Sequence, residues 1–338
     1  MRQRVTKAIV GSTSTREIVL TLLRERQGEW LSGQLLAQKT GLSRAAVWKQ
    51  IEALRAEGYG IEAVTRRGYR LRYIPDKLFP AEIRYGLETR IFGRGEIHHD
   101  ERTTSTNDVA KQMAARGAPE GSLAVAEEQT QGRGRLARMW FSPPGAGLYV
   151  SIILRPLLLP VHATRIVSLA AVAVAEILIA ATGLAVRVKW PNDVLVGGKK
   201  IAGILAEAAV EMDAVDYVVI GIGLNVNVPP DSFPAELRPT ATSILAAAGR
   251  SFSRLHLLRQ LLASLESTYN TFCEAGFTPI LKRWKSLADM TGRQVSLRTM
   301  DGIYRGEVVD FDEDGFMILR DTVGRQRRFY SGDVTLEG

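Results

Sequence analysis

The residues best suited to hold a ligand cluster in Gln129-Thr130-Gln131-Gly132-Arg133-Gly134-Arg135-Leu136-Ala137-Arg138-Met139-Trp140, just ahead of Phe141-Ser142-Pro143-Pro144-Gly145. Three arginines, two glycines and a tryptophan fall within nine residues. Glycine lets backbone N–H groups come close to a ligand, and arginine presents a planar fork of donors that fits phosphate or carboxylate oxygens. Tryptophan adds a flat apolar wall for a ring. Such a loop suits an anionic, partly cyclic ligand; standing alone, it would read first as a solvated basic turn.

Three further segments place small or polar residues beside strand-like runs: Thr104-Ser105-Thr106-Asn107, Lys189-Trp190-Pro191-Asn192-Asp193 through Lys200, and Gly221 to Asn227. Ser105, Thr106 and Gln129 are compact neutral donors and acceptors, matched to an uncharged polar head such as a urea or amide. Arg133, Arg135, Arg138, Lys189 and Lys200 could balance phosphates, and Asp193 could hold a magnesium ion. Plainer readings stand beside these. Ser105 could be only a helix N-cap, Lys199 and Lys200 solvated lysines at a hairpin tip, and Asp193 the end of a strand.

No glycine-rich stretch ends in Gly-Lys-Ser/Thr, so a Walker phosphate loop is excluded. Gly221-Ile222-Gly223-Leu224-Asn225-Val226 lacks the third glycine of a dinucleotide fingerprint, and Asn227 and Pro229-Pro230 follow it where that motif needs a helix. The Gly/Arg loop is left as the best candidate for nucleotide phosphates.

Residues 15–71 read as three helices and a hairpin. A helix over 15–24 places Ile18 and Leu22 on its inner face. Ser32 caps a second helix that Gly41 ends, and Ser43 caps a third, to about residue 57, with Val47, Ile51 and Leu54 inward. Two alternating segments, 61–64 and 69–72, flank Thr65-Arg66-Arg67-Gly68 as a wing. Helix-turn-helix spacing makes Arg44, Lys49 and Arg55, with Arg66 and Arg67 at the wing tip, candidate DNA contacts. The same module also serves protein contacts elsewhere.

Past a linker marked by Pro75 and Pro80 the pattern alternates. Helices are expected over 107–116, 166–181 and 254–272, and strands over 122–127, 148–154, 185–188 and 217–228. A hairpin over 194–205 turns at Gly197-Gly198. From Thr291 onward, strands over 294–297, 303–311, 316–319 and 327–330 suggest a small all-β barrel. The fold class is therefore α+β multidomain: a winged helix-turn-helix domain over 1–75, a mixed α/β domain over 76–290 and a small β domain over 291–338.

All of the net charge of +8 lies in residues 1–80, which hold 15 Lys+Arg and 7 Asp+Glu; the remainder holds 29 of each. A polyanion partner is therefore expected for the N-terminal domain alone. One cysteine, Cys273, excludes an intramolecular disulfide, fits a cytoplasmic setting and reads as a packed helix residue. No signal peptide is visible, and the apolar run 166–181 is too short for a membrane span. Four histidines show no metal-site spacing.

Taken in order, Ser105-Thr106-Asn107, Gln129, Gly132-Arg133-Gly134-Arg135, Trp140-Phe141-Ser142-Pro143, Lys189-Trp190-Pro191-Asn192-Asp193, Lys200-Ile201-Ala202-Gly203-Ile204-Leu205 and Gly221-Ile222-Gly223-Leu224-Asn225 resemble the bifunctional biotin protein ligase and biotin-operon repressor family. The resemblance covers nearly the whole chain, with Gly41-Leu42-Ser43-Arg44-Ala45-Ala46-Val47 similar to that family's recognition-helix entry. It implies a class II synthetase-like ligase domain and an SH3-like C-terminal barrel. It also implies a two-step reaction: ATP and Mg²⁺ convert biotin to biotinyl-5′-AMP, which then acylates a lysine of the biotin carboxyl carrier protein of acetyl-CoA carboxylase.

By resemblance, Ser105, Thr106, Asn107, Gln129, Arg133, Gly134, Arg135, Lys200, Gly203, Leu205 and Gly221 bind biotin. Arg135, Arg138, Trp140, Asn192 and Asn225 bind ATP. Lys200, Arg135, Lys189 and Asp193 carry the chemistry, Asp193 also holding Mg²⁺. Ser43, Arg44, Lys49, Arg66 and Arg67 meet operator DNA, bound by an adenylate-loaded homodimer, and no membrane is involved. Leu136-Ala137 departs from the family, which often has Arg-Gly or Leu-Gly there.

Overall fold

The computed structural model describes residues 14–159, 162–211 and 214–337, and the chain divides into two compact units between Asp76 and Lys77. In the first, α1 (Thr15–Glu25), α2 (Gly33–Thr40) and α3 (Arg44–Ala56) precede a hairpin of β1 (Gly60–Val64) and β2 (Gly68–Tyr73). Each helix follows a serine whose hydroxyl accepts a backbone N–H three residues on: Ser14 from Glu17, Ser32 from Leu35 and Ser43 from Ala46. Gly41, at φ 70°, reverses the chain between α2 and α3 in a conformation that a side chain would resist.

The inner face of α1 differs from the expected one. Ile18 is 36% exposed, while Val19, Leu20 and Leu23 enter the core with Leu36, Val47, Ile51, Leu54 and Leu71. Ile18-Val19-Leu20 followed by Leu22-Leu23 offers two apolar stripes one residue apart, and packing against α3 selects between them.

The second unit contains α4 (Pro80–Arg84), β3 (Ile97–Asp100), α5 (Thr106–Ala115), β4 (Leu123–Ala126), β5 (Gly147–Leu154) and α6 (Ala163–Thr182). It continues with β6 (Val186–Lys189), β7 (Asp193–Val196), β8 (Lys199–Glu211), β9 (Ala214–Asn225), α7 (Ile244–Ala248), α8 (Arg254–Ala275) and α9 (Thr278–Leu287). The seven strands form one sheet in the order β3-β4-β5-β9-β8-β7-β6, antiparallel except for the β3–β4 pair that α5 connects.

Alternation assigns the two faces. Ala124, Ile153 and Val219 pack on α5 through Ala110, Met113 and Ala114, whereas Leu123, Val125, Ile152, Val218 and Ile220 join the core formed with α6 and α8. With both faces covered, every residue of β5 is buried. Among the described residues α6 alone is long and apolar enough to cross a membrane, and it is this core's central helix.

A second sheet follows, of β10 (Gln294–Arg298), β11 (Ile303–Phe311), β12 (Met317–Arg320), β13 (Gln326–Phe329) and β14 (Asp333–Leu336). It is antiparallel in the order β13-β12-β11-β10-β14. The expected barrel is not closed: β13 and β14 are opposite edges and do not pair with each other among the described residues. Cys273, expected to be packed, is exposed on α8; partial burial still pushes its thiol pKa up, which keeps the thiol protonated near neutral pH.

Candidate active site

Three cross-strand rows on the α5 face of the large sheet make the floor of the site. Tyr149 pairs with Gly223 and Gly203, Ser151 with Gly221 and Leu205, and Ile153 with Val219 and Glu207. The glycines leave room for side chains from above. A Cβ on Gly221 would collide with Asn107 Oδ1, one on Gly223 with Trp140 Nε1, and one on Gly203 would sit 3.0 Å from Trp140 Cζ3. Gly221-Ile222-Gly223 thus serves close packing under Asn107 and Trp140 instead of cradling phosphate.

Asn107 begins a polar chain across this floor. Ser151 Oγ lies 2.6 Å from Asn107 Oδ1 and 2.8 Å from Thr106 Oγ1. Gln129 Oε1 accepts from the Thr106 backbone N–H at 2.9 Å and hydroxyl at 3.1 Å, and Gln129 Nε2 donates to Ser142 Oγ at 2.9 Å. Ser105 precedes α5 without a side-chain cap hydrogen bond and is 3% exposed, so the N-cap reading of its hydroxyl does not hold. All eleven residues expected around biotin except Arg135 line one small cavity of ≈ 40 Å³ here.

Lys200 reaches the site through a β-bulge. The β7–β8 register runs Asp193–Gly203 and Val194–Ala202, then slips to Leu195–Lys200. Ile201 is the extra residue and lies in the core at 0% exposure. In an unbulged strand the period of two would put Ile201 over the site and Lys200 in the core; the bulge exchanges them. The backbone of Lys200 is fixed by Thr240 and Thr242, its N–H donating to Thr240 O and its carbonyl accepting from Thr242 N–H. Its Nζ lies 2.6 Å from Asp193 Oδ1 and 5.4 Å from the centre of a Trp140 ring. It is therefore no free hairpin-tip lysine, and Asp193 is more than a strand end.

A larger cavity of ≈ 530 Å³ adjoins the first, the two sharing Gly134, Trp140, Asn192 and Lys200. Arg135, Arg138, Lys189, Asp193 and Asn225 line it, with Phe233, Leu237 and Gly332 to Leu336. Arg135 Nη1 points at Asn192 Oδ1 and Gly332 O, both at 3.4 Å; burial lowers its pKa despite Asp193 and Asp333 nearby. Arg138 Nη2 donates to Asp333 Oδ2 at 2.5 Å. Burial opposes ionisation of Asp333, but the hydrogen bond and charge of Arg138, with the charges of Lys189 and Arg135, together outweigh it and hold that carboxyl below its ordinary value. The buried polar atoms at the cavity without a hydrogen-bond partner include Trp140 Nε1 and Asn225 Oδ1, the amide nitrogen of Asn225 donating to Thr242 O.

Sequence reasoning overlooked the charges around Arg133. Its Nη2 lies 2.6 Å from Asp108 Oδ1 and 3.1 Å from Glu207 Oε2. Glu207 was readable, since the period of two carries Gly203, Leu205 and Glu207 on one face. Glu127, behind the loop, was not. It accepts from Leu78 N–H at 2.8 Å and Arg254 Nη1 at 2.7 Å, with His99 Nε2 at 3.3 Å.

On the N-terminal unit Arg44, Lys49, Arg66 and Arg67 are exposed, and Trp48 beside them is 53% exposed. Arg55 donates to Ile61 O at 2.8 Å and Glu52 Oε1 at 2.7 Å within its own unit, and the Ser43 hydroxyl caps α3 as expected. The only described non-glycine residues with positive φ are Arg66 (68°) at the wing tip and Leu136 (55°) in the Gly/Arg loop. Such strain gathers where ligands are met.

Comparison with known proteins follows this geometry. The Biotin/lipoate A/B protein ligase family matches residues 100–225, an HTH domain matches 15–70 and the Biotin protein ligase C terminal domain matches 291–336. The bifunctional ligase/repressor BirA of Bacillus subtilis is 42% identical over 96% of this chain and 99% of its own length, and that of Escherichia coli 31% over 91% and 94%. The biotin protein ligase of Aquifex aeolicus in complex with biotin and ATP superposes with a TM-score of 0.61 at 28% identity, over 72% of this chain and 98% of that one. The chain belongs to the bifunctional biotin protein ligase and repressor family.

Proposed function

We propose that the second unit activates biotin with ATP and transfers it to a lysine of a biotin carboxyl carrier protein, and that the first represses biotin genes at an operator. One observation carries the catalytic reading: a neutral pocket and a cationic cavity meet at Lys200. Ser105, Thr106, Asn107 and Gln129 offer hydroxyls and amides to the ureido head of biotin, which carries no charge for an ion pair to hold.

The valeryl carboxylate then points at Lys200. A carboxylate oxygen attacks the α-phosphorus, an O–P bond forms, the bond to the bridging oxygen breaks and pyrophosphate leaves. Two anions must approach, and Lys200, Lys189 and Arg135 supply fixed positive charge where it develops. Arg138 serves the departing phosphates, Trp140 walls the adenine, and Asn225 Oδ1 offers an acceptor to its amine. In the second step the lysine amine attacks the acyl carbon, a C–N bond forms, AMP leaves with the C–O electrons, and the nitrogen loses a proton.

Asp193 and Asp333 are the carboxylates of the larger cavity; Arg138 pairs with the second, and Lys200 pairs with Oδ1 of the first. No group of three metal-ligating side chains exists among the described residues. A single carboxylate, Asp193, fits a Mg²⁺ that keeps phosphate and water in most of its shell. When bound it would neutralise charge on the leaving pyrophosphate.

Homodimerisation through the central sheet is supported by an open edge. Past Gly203 the described part of β8 pairs only with β9, and Leu157, Leu159 and Val210 nearby are 104%, 57% and 50% exposed. We read the second sheet, bulged in β11 between Val308 and Asp310, as the SH3-like module and the large sheet as the class II synthetase-like one. A cytoplasmic location follows from this reading, where ATP and carboxylases reside.

Two predictions arise directly. Gly221→Ala drives a methyl into Asn107; with overpacking costing about 1–3 kcal/mol, KM for biotin should rise about tenfold while kcat changes little, read by biotin-dependent ATP–pyrophosphate exchange. An unchanged KM contradicts the packing role of Gly221. Footprinting on the organism's biotin-synthesis promoter should show a two-fold protected site that requires biotin and ATP. Arg66→Ala and Arg67→Ala should each lower the slope of log K against log[salt] by about 1. Absence of a protected site removes the repressor half.

A further inference from the structure

Four charged side chains cluster beside the small pocket, which Arg133 lines, and the two catalytic steps above assign none of them work. Arg133 comes from the Gly/Arg loop, Asp108 and Lys111 from successive turns of α5, and Glu207 from β8. Arg133 reaches both carboxylates, at 2.6 Å to Asp108 and 3.1 Å to Glu207. Lys111 reaches the same two, at 3.3 Å to Asp108 and 3.0 Å to Glu207. Two cations therefore share two anions, and only one cation belongs to the loop.

Glu207 has a second attachment. Its Oε2 accepts from Asn107 Nδ2 at 2.7 Å. That bond fixes which end of the Asn107 amide faces Gly221 and Ser151, and through Ser151, Thr106 and Gln129 the chain continues to Ser142 at the far side of the loop. The cluster and the floor are thus one connected network whose junction is Glu207. Arg133 lines the small pocket from the loop side, so its ion pairs hold one wall of the pocket in place.

We propose that Glu207 and Asp108 are positioning residues that latch Arg133 at the wall of the biotin pocket, and that this latch sets how long biotin and its adenylate stay bound. Lys111 is the counterweight, competing for the same carboxylates. The proposal rests on the biotin assignment of the pocket and adds to it the residues that govern residence time.

The test is the dissociation rate of biotinyl-5′-AMP from the full-length protein, followed at several salt concentrations. Half-exposed pairs of this kind are individually weak, so Glu207→Gln and Asp108→Asn should each speed release about two- to fivefold, and the double variant about tenfold. Glu207→Gln keeps an acceptor for Asn107, separating the latch from the floor. Lys111→Met should slow release or leave it unchanged, because both carboxylates then serve Arg133. A substitution that merely loosened the fold would speed release in all three. Wild-type release should quicken as salt screens the pairs, and release from the double variant should respond weakly. Release at the wild-type rate from Glu207→Gln and Asp108→Asn, or faster release from Lys111→Met, overturns the latch. Failure of the wild type to form the adenylate would instead overturn the assignment of the pocket.

Discussion

Lys200→Met is expected to slow biotin-dependent ATP–pyrophosphate exchange about 10²–10³-fold, with biotin affinity changed only a few-fold. Methionine keeps an unbranched stem of similar length and removes the charge. In the proposed function the head of biotin is held by Ser105, Thr106, Asn107 and Gln129, none of which depends on Lys200. The charge matters where carboxylate and α-phosphate meet, and there it is fixed: the bulge at Ile201 turns the side chain onto the site face, and Asp193 Oδ1 at 2.6 Å and the Trp140 ring hold its end. A donor placed before the reaction costs no reorganisation during it. Isothermal titration with biotin beside the exchange assay separates the effects. Near-normal exchange, or loss of biotin binding in proportion to exchange, would contradict the assigned role.

Glu127→Ala is expected to destabilise the second unit by about 3–5 kcal/mol, because it breaks a buried ion pair with Arg254. Glu127 is 4% exposed and Arg254 2%. Burial raises the pKa of Glu127, but His99, Arg254 and the Leu78 N–H together outweigh it and hold the carboxyl at about 2, from an ordinary 4.5. The folded pKa lies below the unfolded one, so this stability is complete above pH 4.5 and fades as pH falls toward 2. At neutral pH it amounts to on the order of 3 kcal/mol. Urea unfolding at pH 7 and pH 3 should show wild type losing more stability than Glu127→Ala, by most of that increment. Equal acid sensitivity would contradict this account. The change should also reach the ligand loop, since Glu127 stands two residues before Gln129 and its carbonyl accepts from Gly145 N–H.

The helices and most strands were legible because their signals are local. Serine before each N-terminal helix, Gly41 at the turn, and apolar runs rich in valine and isoleucine in β5 and β9 state their conformations within a few residues. α1 shows the limit: its two overlapping stripes leave the inward face to α3. β3 and β14 are four residues each and owe their extended form to β4 and β10, so neither announces itself. α9 did carry a readable pattern, Ile280, Leu281 and Trp284 at helical spacing after Pro279, and all three are buried.

The candidate site was legible as residue types but not as geometry. Lys200 sits beside a Gly-Gly tip, where solvent is the ordinary surrounding, and no local feature announces the bulge that redirects it. The glycines of 221–223 resemble a phosphate loop in one dimension and prove to be clearance for Asn107 and Trp140 in three. Ion pairs such as Arg133 with Glu207 or Arg254 with Glu127 join positions far apart in the chain, so charge alone could not nominate them. Arg55 shows the converse: its place on the recognition helix suggests DNA, while its Nε and Nη1 donate to Ile61 O and Glu52.

The central claim is that the neutral pocket and the cationic cavity meeting at Lys200 serve one reaction. ATP-dependent transfer of labelled biotin to a biotin carboxyl carrier domain tests it most directly. The account predicts that label becomes covalently attached to the carrier's acceptor lysine only when ATP and Mg²⁺ are present, and that Lys200→Met abolishes this attachment. Label transfer without ATP, or none with all components and a folded carrier, would contradict it.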